Sequence, residues 1–528
     1  MLHRCGSVTL PVRLLLVCAL LGGAPACFRF NQVEVKPVPP QRAPTVVRSP
    51  VKAHLSDGAT IVYPRGVTIE ADTVRGNGFR YAAGSSLSAP SSFVVLDSVV
   101  GMETYQTTVR QAPTILTSTV VDVLGFAGGV VLFKAIFGSC PTFYSDSSGV
   151  PVLEAEGFSY SIAPLFEQRD VDRLRASPDG DGYVELQVRN EALETHYLNQ
   201  LELLETLHSP DEYVAPDQGG RPLALRALHP AASARDRAGR DIASTVAEAD
   251  GMIFHTDSAT LARATAADLD DYIDLTIPRP ESADSVAVVF RMRNSLLNTV
   301  LLYQRILGDP GAKSLDWVGH SLQQISGAID VGRWYTQRMG MRISVRDGAE
   351  YRPVGRIGDS GPIAFHDVAL LVPVPAKSGN DGASDSMHVR LSFIADDWRI
   401  DRIRISTQYR RPTTRAISAT AITTHDPSQS GSALRDLRDA DEGYVVTSPG
   451  QSFKIRFNVG KAPPAGARTL LLASQGYYNE WVRGSWIKAA SGKEFKPSDD
   501  ALMEAIRRWR TQQGVLEREF YSTRIAVR

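Results

Sequence analysis

The stretch MHVRLSFIADDWRIDRIRIS, residues 387–406, decides how the chain is read. Val389, Leu391 and Phe393 alternate with polar residues, the period of a strand with one face buried and the other wet. Asp396-Asp397 breaks the run, and Trp398, Ile400, Ile403 and Ile405 resume it. Working outward, VPVLEAEGFSYSI, GYVELQVRNE, YIDLTIPR, SVAVVFRMRN, MRISVRDGAEYRPVGRI and FHDVALLVPVP are further strand-like runs, bounded by Pro, Gly, Asp and Ser. ALETHYLNQLELLETLHS fits either period: Leu193, Tyr197, Leu201, Leu204 and Leu207 have helical spacing, while Leu201 and Leu203 alternate.

Two segments read as helices. In NSLLNTVLLYQRILG, Asn294 or Ser295 can cap, Leu297, Val300, Leu301 and Gln304 share a face, and Gly308 ends it. In SDDALMEAIRRWRTQQGVLEREFY, Ser498 caps, Asp499 and Asp500 suit the first turn, and Leu502, Ile506, Trp509, Leu516 and Phe520 form an apolar stripe.

The N-terminal part has a different character. Residues 1–27, MLHRCGSVTLPVRLLLVCALLGGAPAC, combine basic residues, the apolar run Leu14–Leu21 and small residues, the pattern of an export signal. Ala24-Pro25-Ala26 stands directly before Cys27, so this end reads either as a bacterial lipidation site at Cys27 or as a simple peptidase site. The prolines of residues 28–50 make an extended tether. Residues 51–110 carry four or five short strands, with a hairpin expected at Asp57-Gly58 and another break at Gly76-Asn77-Gly78. From Ile115 to Phe137 the chain is apolar apart from Asp122 and Lys134. We expect a buried or half-buried helix over 111–139, with a membrane-dipping segment or a span as alternatives. The two charges, at ~2.5–3.5 kcal/mol each in mid-bilayer, and four glycines weigh against a span.

Charge excludes little but points away from nucleic acid: 57 basic and 58 acidic residues leave a net charge of −1. Four cysteines, two of them in the signal, allow no four-cysteine zinc site. Cys140 is then a lone thiol if Cys27 carries lipid, or its disulfide partner if not. GDSGP at 358–362 approaches the serine motif of trypsin-like proteases but lacks a glycine and an upstream Ala-Ala-His-Cys, so a turn between strands is expected. As a nucleophile Cys140 would need a base, and nothing in the sequence places His196, His229, His255 or His366 beside it. SPDGDGY (177–183) and DLDDYID (268–274) lack EF-hand spacing and read as a hairpin turn and a solvated strand edge. No cofactor motif stands out, and we expect none. Tyr477, Tyr478, Trp481 and Trp486 are the densest aromatics, able to stack on sugar or anchor a protein if exposed.

Three resemblances add to this. Residues 51–110, with a DG hairpin followed by LDSV, look like small SH3- or Sm-like barrels. The order LLVPVP, then W-x-I-D-x-I-x-I, resembles the last strands of jelly-roll sandwiches of the galactose-binding type, a fold often used to bind carbohydrate or protein. GSCPTFYSDSSGVPVLEAEGF, LFEQRDVDRL, DGYVELQVRNEALET, LNQLEL and the later GYVVTSPGQSFKIRFNV…ARTLLLASQGYY together resemble a family of uncharacterised exported bacterial proteins, many of them lipoproteins. That resemblance implies export, a β-rich fold and strand for Asn199–Leu207, and carries no activity with it. The fold expected is mainly β: a small barrel (51–110), a connecting helix (111–139), one or two jelly-roll-like sandwich domains (140–410), and a C-terminal β segment with a terminal helix (411–528). The function expected is that of a lipid-anchored envelope binding or scaffold protein, membrane-bound through its N-terminus, with a carbohydrate or envelope-protein partner. An envelope-polymer hydrolase and a structural subunit of an envelope complex are the alternatives.

Overall fold

The computed structural model describes residues 43–83, 85–105, 140–375, 385–461 and 466–522, with 524, 525 and 527. Residues 1–27, expected as an export signal ending at Cys27, most of the expected tether and the apolar segment 111–139 lie outside these residues. Strand makes up 46% and helix 19%, so the chain is mainly β as expected.

The first sheet contains β1 (Thr45–Val47), β2 (Val51–Leu55), β3 (Thr60–Tyr63), β4 (Val67–Glu70), β5 (Thr73–Tyr81), β6 (Ser88–Val95) and β7 (Val99–Thr104). It curls into a half-barrel around Val51, Ala53, Ile61, Tyr63 and Met102. The Asp57-Gly58 hairpin joins β2 to β3: Asp57 Oδ1 accepts the Ala59 N–H at 2.9 Å, and Gly58 takes φ +80°. Gly76-Asn77-Gly78 does not end the strand as expected: β5 continues through it, with a register shift between Arg75 and Gly78 where its pairing passes from β4 to β3. The two glycines serve a close approach instead. A Cβ at Gly76 or Gly78 would stand 2.9 or 2.7 Å from the Tyr63 ring. The end of the tether adds β1 to the sheet edge, beside β4 only, between Pro44 and Pro50.

The second sheet begins with β8 (Thr142–Ser147), β9 (Val150–Glu156), β10 (Gln168–Arg173), β11 (Tyr183–Arg189) and the long β12 (Glu194–His208). Here the chain leaves. It builds β13 (Tyr213–Pro216), β14 (Pro222–Arg226), β15 (Ser233–Asp236), β16 (Asp270–Pro278), β17 (Ser285–Asn294), β18 (Met341–Asp347), β19 (Glu350–Ile357), β20 (His366–Pro373), β21 (Ser386–Ile394), β22 (Trp398–Ser406) and β23 (Gln408–Arg410). It then returns as β24 (Thr414–Thr423), β25 (Val445–Thr447), β26 (Ser452–Asn458) and β27 (Ala467–Glu480), before β28 (Val482–Arg483) closes onto β7 of the half-barrel. The order β10-β27-β12-β24-β26-β11-β8-β9 makes residues 142–208 and 414–480 one sheet. A linear division at 410/411 therefore does not describe the sheets. The sandwich is an insertion whose ends are neighbours, Thr206 pairing with Thr414. The sheet is nearly closed as a barrel: after β10, Arg175 donates to Leu153 O of β9, and its backbone N–H donates to Glu154 Oε2, both at 2.6 Å. Asn199–Leu207 is strand, not helix, because β12 is paired along its length with β27.

In the insertion the sheet β15-β16-β21-β18-β19 packs on β20-β17-β22. Val389, Leu391 and Phe393 face Trp398, Ile400, Ile403 and Ile405, all buried. The uneven step from Ile400 to Ile403 is a bulge: Arg402 pairs with Arg291 and Ile400 with Met292, leaving Asp401 as the extra residue. On β17, Val286, Val288, Phe290 and Met292 enter this core. Ala287 and Val289 face a third sheet, β13-β14-β23. A strand covered on both faces reads as the continuous apolar run seen in SVAVVFRMRN.

The helical layer has its own core. Ser295 Oγ accepts the Leu297 N–H at 3.1 Å, but the N-cap of Leu297–Thr299 is Leu296 and no side chain caps it, so neither Asn294 nor Ser295 holds the expected position; the helix widens into π-helical Val300–Gly308. The terminal helix Asp499–Ser522 is capped by Ser498, and all five stripe residues are buried. Among the described residues no helix is long and apolar enough to cross a membrane.

Candidate functional site

β10 is an end strand of the barrel sheet, and its alternation puts Asp170 and Asp172 on one face. Val171, between them, packs the other way on Leu204, Leu471 and Ala473. The acidic face meets the start of β20, where His366 Nδ1 pairs with Asp172 Oδ1. One ligand atom each from Asp170, Asp172 and His366 lies within 4.8 Å of the others. Asp172 and His366 are buried; Asp170 is half-buried and reaches solvent. Glu156, at the end of β9, stands behind them. It is fully buried, and its Oε2 accepts the backbone N–H groups of Ile363 and Ala364 at 2.7 and 3.0 Å. Burial opposes a charge on His366, but the carboxylates of Asp172, Asp170 and Glu156 outweigh it and hold the imidazole up to about 9. Burial, then the Asp172 charge, push Asp170 up, and burial pushes Glu156 up.

The charges flanking this group are paired. Arg402 donates to Tyr213 OH (2.7 Å) and Asp367 Oδ1 (3.1 Å), and Arg291 to Asp367 Oδ2 (3.3 Å) and Asp401 Oδ2 (3.2 Å). Arg173 of β10 lies over the Tyr213 ring at 4.6 Å. Of these contacts only Arg173–Tyr213 crosses from the barrel to the insertion; the others lie within the insertion.

The GDSGP loop lies between β19 and β20 on the same seam. The Ser360 N–H donates to Asn294 Oδ1 (2.7 Å), the Gly361 N–H to Tyr160 OH (3.1 Å), and Asn294 Nδ2 to Asp359 Oδ1 (3.1 Å). Ser360 Oγ is buried and has no hydrogen-bond partner, so the loop holds no serine–base pair. Its glycine has a packing reason. Gly361 takes φ +82°, and a Cβ there would be 2.7 Å from Glu156 Oε1.

A second acidic group lies where β12 meets β27. Glu194 is directly opposite Glu480 on the paired strands, with Arg483 donating to Glu480 at 2.8 Å. His196 Nε2 is 2.7 Å from Glu194 Oε1, with both residues fully buried. Burial raises Glu194 to about 8 and lowers His196 to about 3. Cys140 is a buried free thiol raised by burial and by the charges of Glu194 and Glu156, which makes it a poor nucleophile.

The four aromatics do not form a solvent-facing platform. Tyr478 (3% exposed) donates to Ser159 O, and Trp481 (2%) stacks on His54 at 3.8 Å and donates to Thr195 Oγ1. Tyr477 stacks on Tyr197 at 4.5 Å, and Trp486 lies beside Tyr303 with the Arg483 guanidinium 4.4 Å away. A 14-residue strand running through the molecule turns this aromatic-rich stretch inward. The calcium readings change too. Asp179 accepts the N–H groups of Asp181 and Tyr183, but the turn links β10 and β11, which do not pair, so it is no hairpin. DLDDYID leads into β16: Asp270–Tyr272 pair with β21 alone, and only Ile273 and Asp274 are covered by β15 as well. Asp271 there is buried on Thr256 Oγ1, and Asp274 is clamped by Arg390 through two 2.7 Å contacts.

Sequence reasoning passed over Asp170, Asp172 and Glu156 and weighed His366 only as a base for Cys140. The signal was an Asp-x-Asp on a strand, with its histidine 194 residues beyond Asp172. No family model matches the chain, and no curated protein matches it.

Proposed function

We propose that the protein is exported, anchored by lipid at Cys27, and works in the cell envelope by binding or scaffolding. The observation that carries the reading is a single hairpin. Leu87 is 82% exposed, Phe93 56%, Val95 46% and Phe79 45%, all on or between β5 and β6. Phe93 and Val95 flank the inward-facing Val94, which pairs with Val74, so the two exposed side chains point away from the core. β6 pairs with β5 alone, which leaves its other edge without a strand among the described residues. An apolar face beside an open edge suits addition of a strand from a protein partner.

A photo-crosslinking residue placed at Phe93 in cells tests the reading, with Met252 as the control because it is equally exposed at 51% on another part of the molecule. One discrete protein adduct from position 93 and none from 252 is expected. No adduct from either site, or the same products from both, contradicts it.

A further inference from the structure

We propose that Asp170, Asp172 and His366 form a binding site for a divalent transition-metal ion, best matched by Zn2+, that clips the inserted sandwich to the barrel. The donors come from both bodies: two carboxylates from β10 and an imidazole from the first residue of β20. Their ligand atoms lie within 4.8 Å of one another. Metal–ligand bonds of about 2.0–2.2 Å place ligand atoms roughly 3–4 Å apart, so closing on an ion needs only side-chain adjustment. One further observation points to a cation. Asp172 Oδ2 and His366 Nε2 are both buried with no hydrogen-bond partner, and so is Glu156 Oε1 just behind.

The donor set selects the kind of ion. An imidazole with two carboxylates suits zinc and its first-row neighbours. Calcium takes six to eight oxygens, and magnesium is held mainly through carboxylate and water. Half-buried Asp170 is the least enclosed of the three donors.

The test uses the full chain in detergent, stripped with a chelator and dialysed against Zn2+, Mn2+ and Ca2+, with bound metal measured by mass spectrometry. The variants are D170N, H366Q and H255Q, the last altering an exposed histidine outside the site. D170N leaves the buried Asp172–His366 pair in place, so it is the variant that keeps the fold. One Zn2+ per chain is expected. D170N should weaken it at least roughly tenfold, the cost of removing even an outer-shell partner, while H255Q leaves it unchanged. Zn2+ binding that survives D170N and H366Q, preference for Ca2+, or no binding at all overturns the proposal and makes the trio a plain buried ion pair.

Discussion

Replacing Glu194 by Gln should stabilise the protein, and the gain should grow with pH. Glu194 sits without solvent contact between His196 and Glu480. Burial raises its carboxyl from 4.5 to about 8, against the pull of neighbouring Glu480 and Arg483. An acid whose folded value is raised favours the folded state while protonated in both states. That advantage disappears as pH climbs from the unfolded value to the folded one. At 1.36 kcal/mol per unit, the 3.5 units between 4.5 and about 8 amount to roughly 5 kcal/mol by pH 9, a large share of a domain's stability. Glutamine imitates the protonated acid: its oxygen accepts from His196 and its amide donates to Glu480. Urea unfolding of both proteins at pH 4 and pH 9 reads the effect, pH 4 lying below both values. Midpoints within error at pH 4 and well separated at pH 9, with E194Q higher, are expected. A difference equal at the two values, or E194Q the weaker at pH 9, would refute the reasoning.

Glu103 should govern the acid limb. Despite its burial, Lys52 and His54 hold it down to about 2, so the stability it contributes, roughly 3 kcal/mol, is present above 4.5 and lost as pH falls toward 2. E103Q should be weaker than the wild type at pH 7 and equal to it near pH 2 in the same unfolding assay; a pH-independent difference counts against this. Gly361→Ala should cost at least about 1–3 kcal/mol, because φ +82° strains any side chain and the new Cβ meets Glu156. A thermal melt unchanged from the wild type would mean that the loop is not held as described.

The local grammar of the chain was legible. Alternation at Val389–Phe393, the Asp57-Gly58 turn, the Ser498 cap and the terminal stripe all rest on neighbours within a few residues, and each stands in the structure. What escaped is set by distance along the chain. That β12 pairs with β27, more than 250 residues away, is invisible to periodicity, so the barrel read as two unrelated ends of a linear domain order. Gly76 and Gly78 read as a break because glycine marks both turns and close approaches, and only Tyr63 distinguishes the two. The acidic trio needed the same long-range pairing, because β10 and β20 meet only once the sandwich is folded back on the barrel. Aromatic density misled for a related reason: a stretch rich in Tyr and Trp has the same composition whether its strand is central or at the surface.

The intact mass of the mature chain recovered from membranes of the producing cell tests the central claim, a lipid-anchored envelope protein, most directly. Thiol alkylation should be run on native and on denatured material. The account predicts residues 27–528 plus the mass of a lipid, with Cys140 unreactive while folded and modified once after unfolding, as its burial requires. An unlipidated chain, found in the soluble fraction and taking up two alkyl groups only after reduction, would contradict it and assign Cys27 to a disulfide.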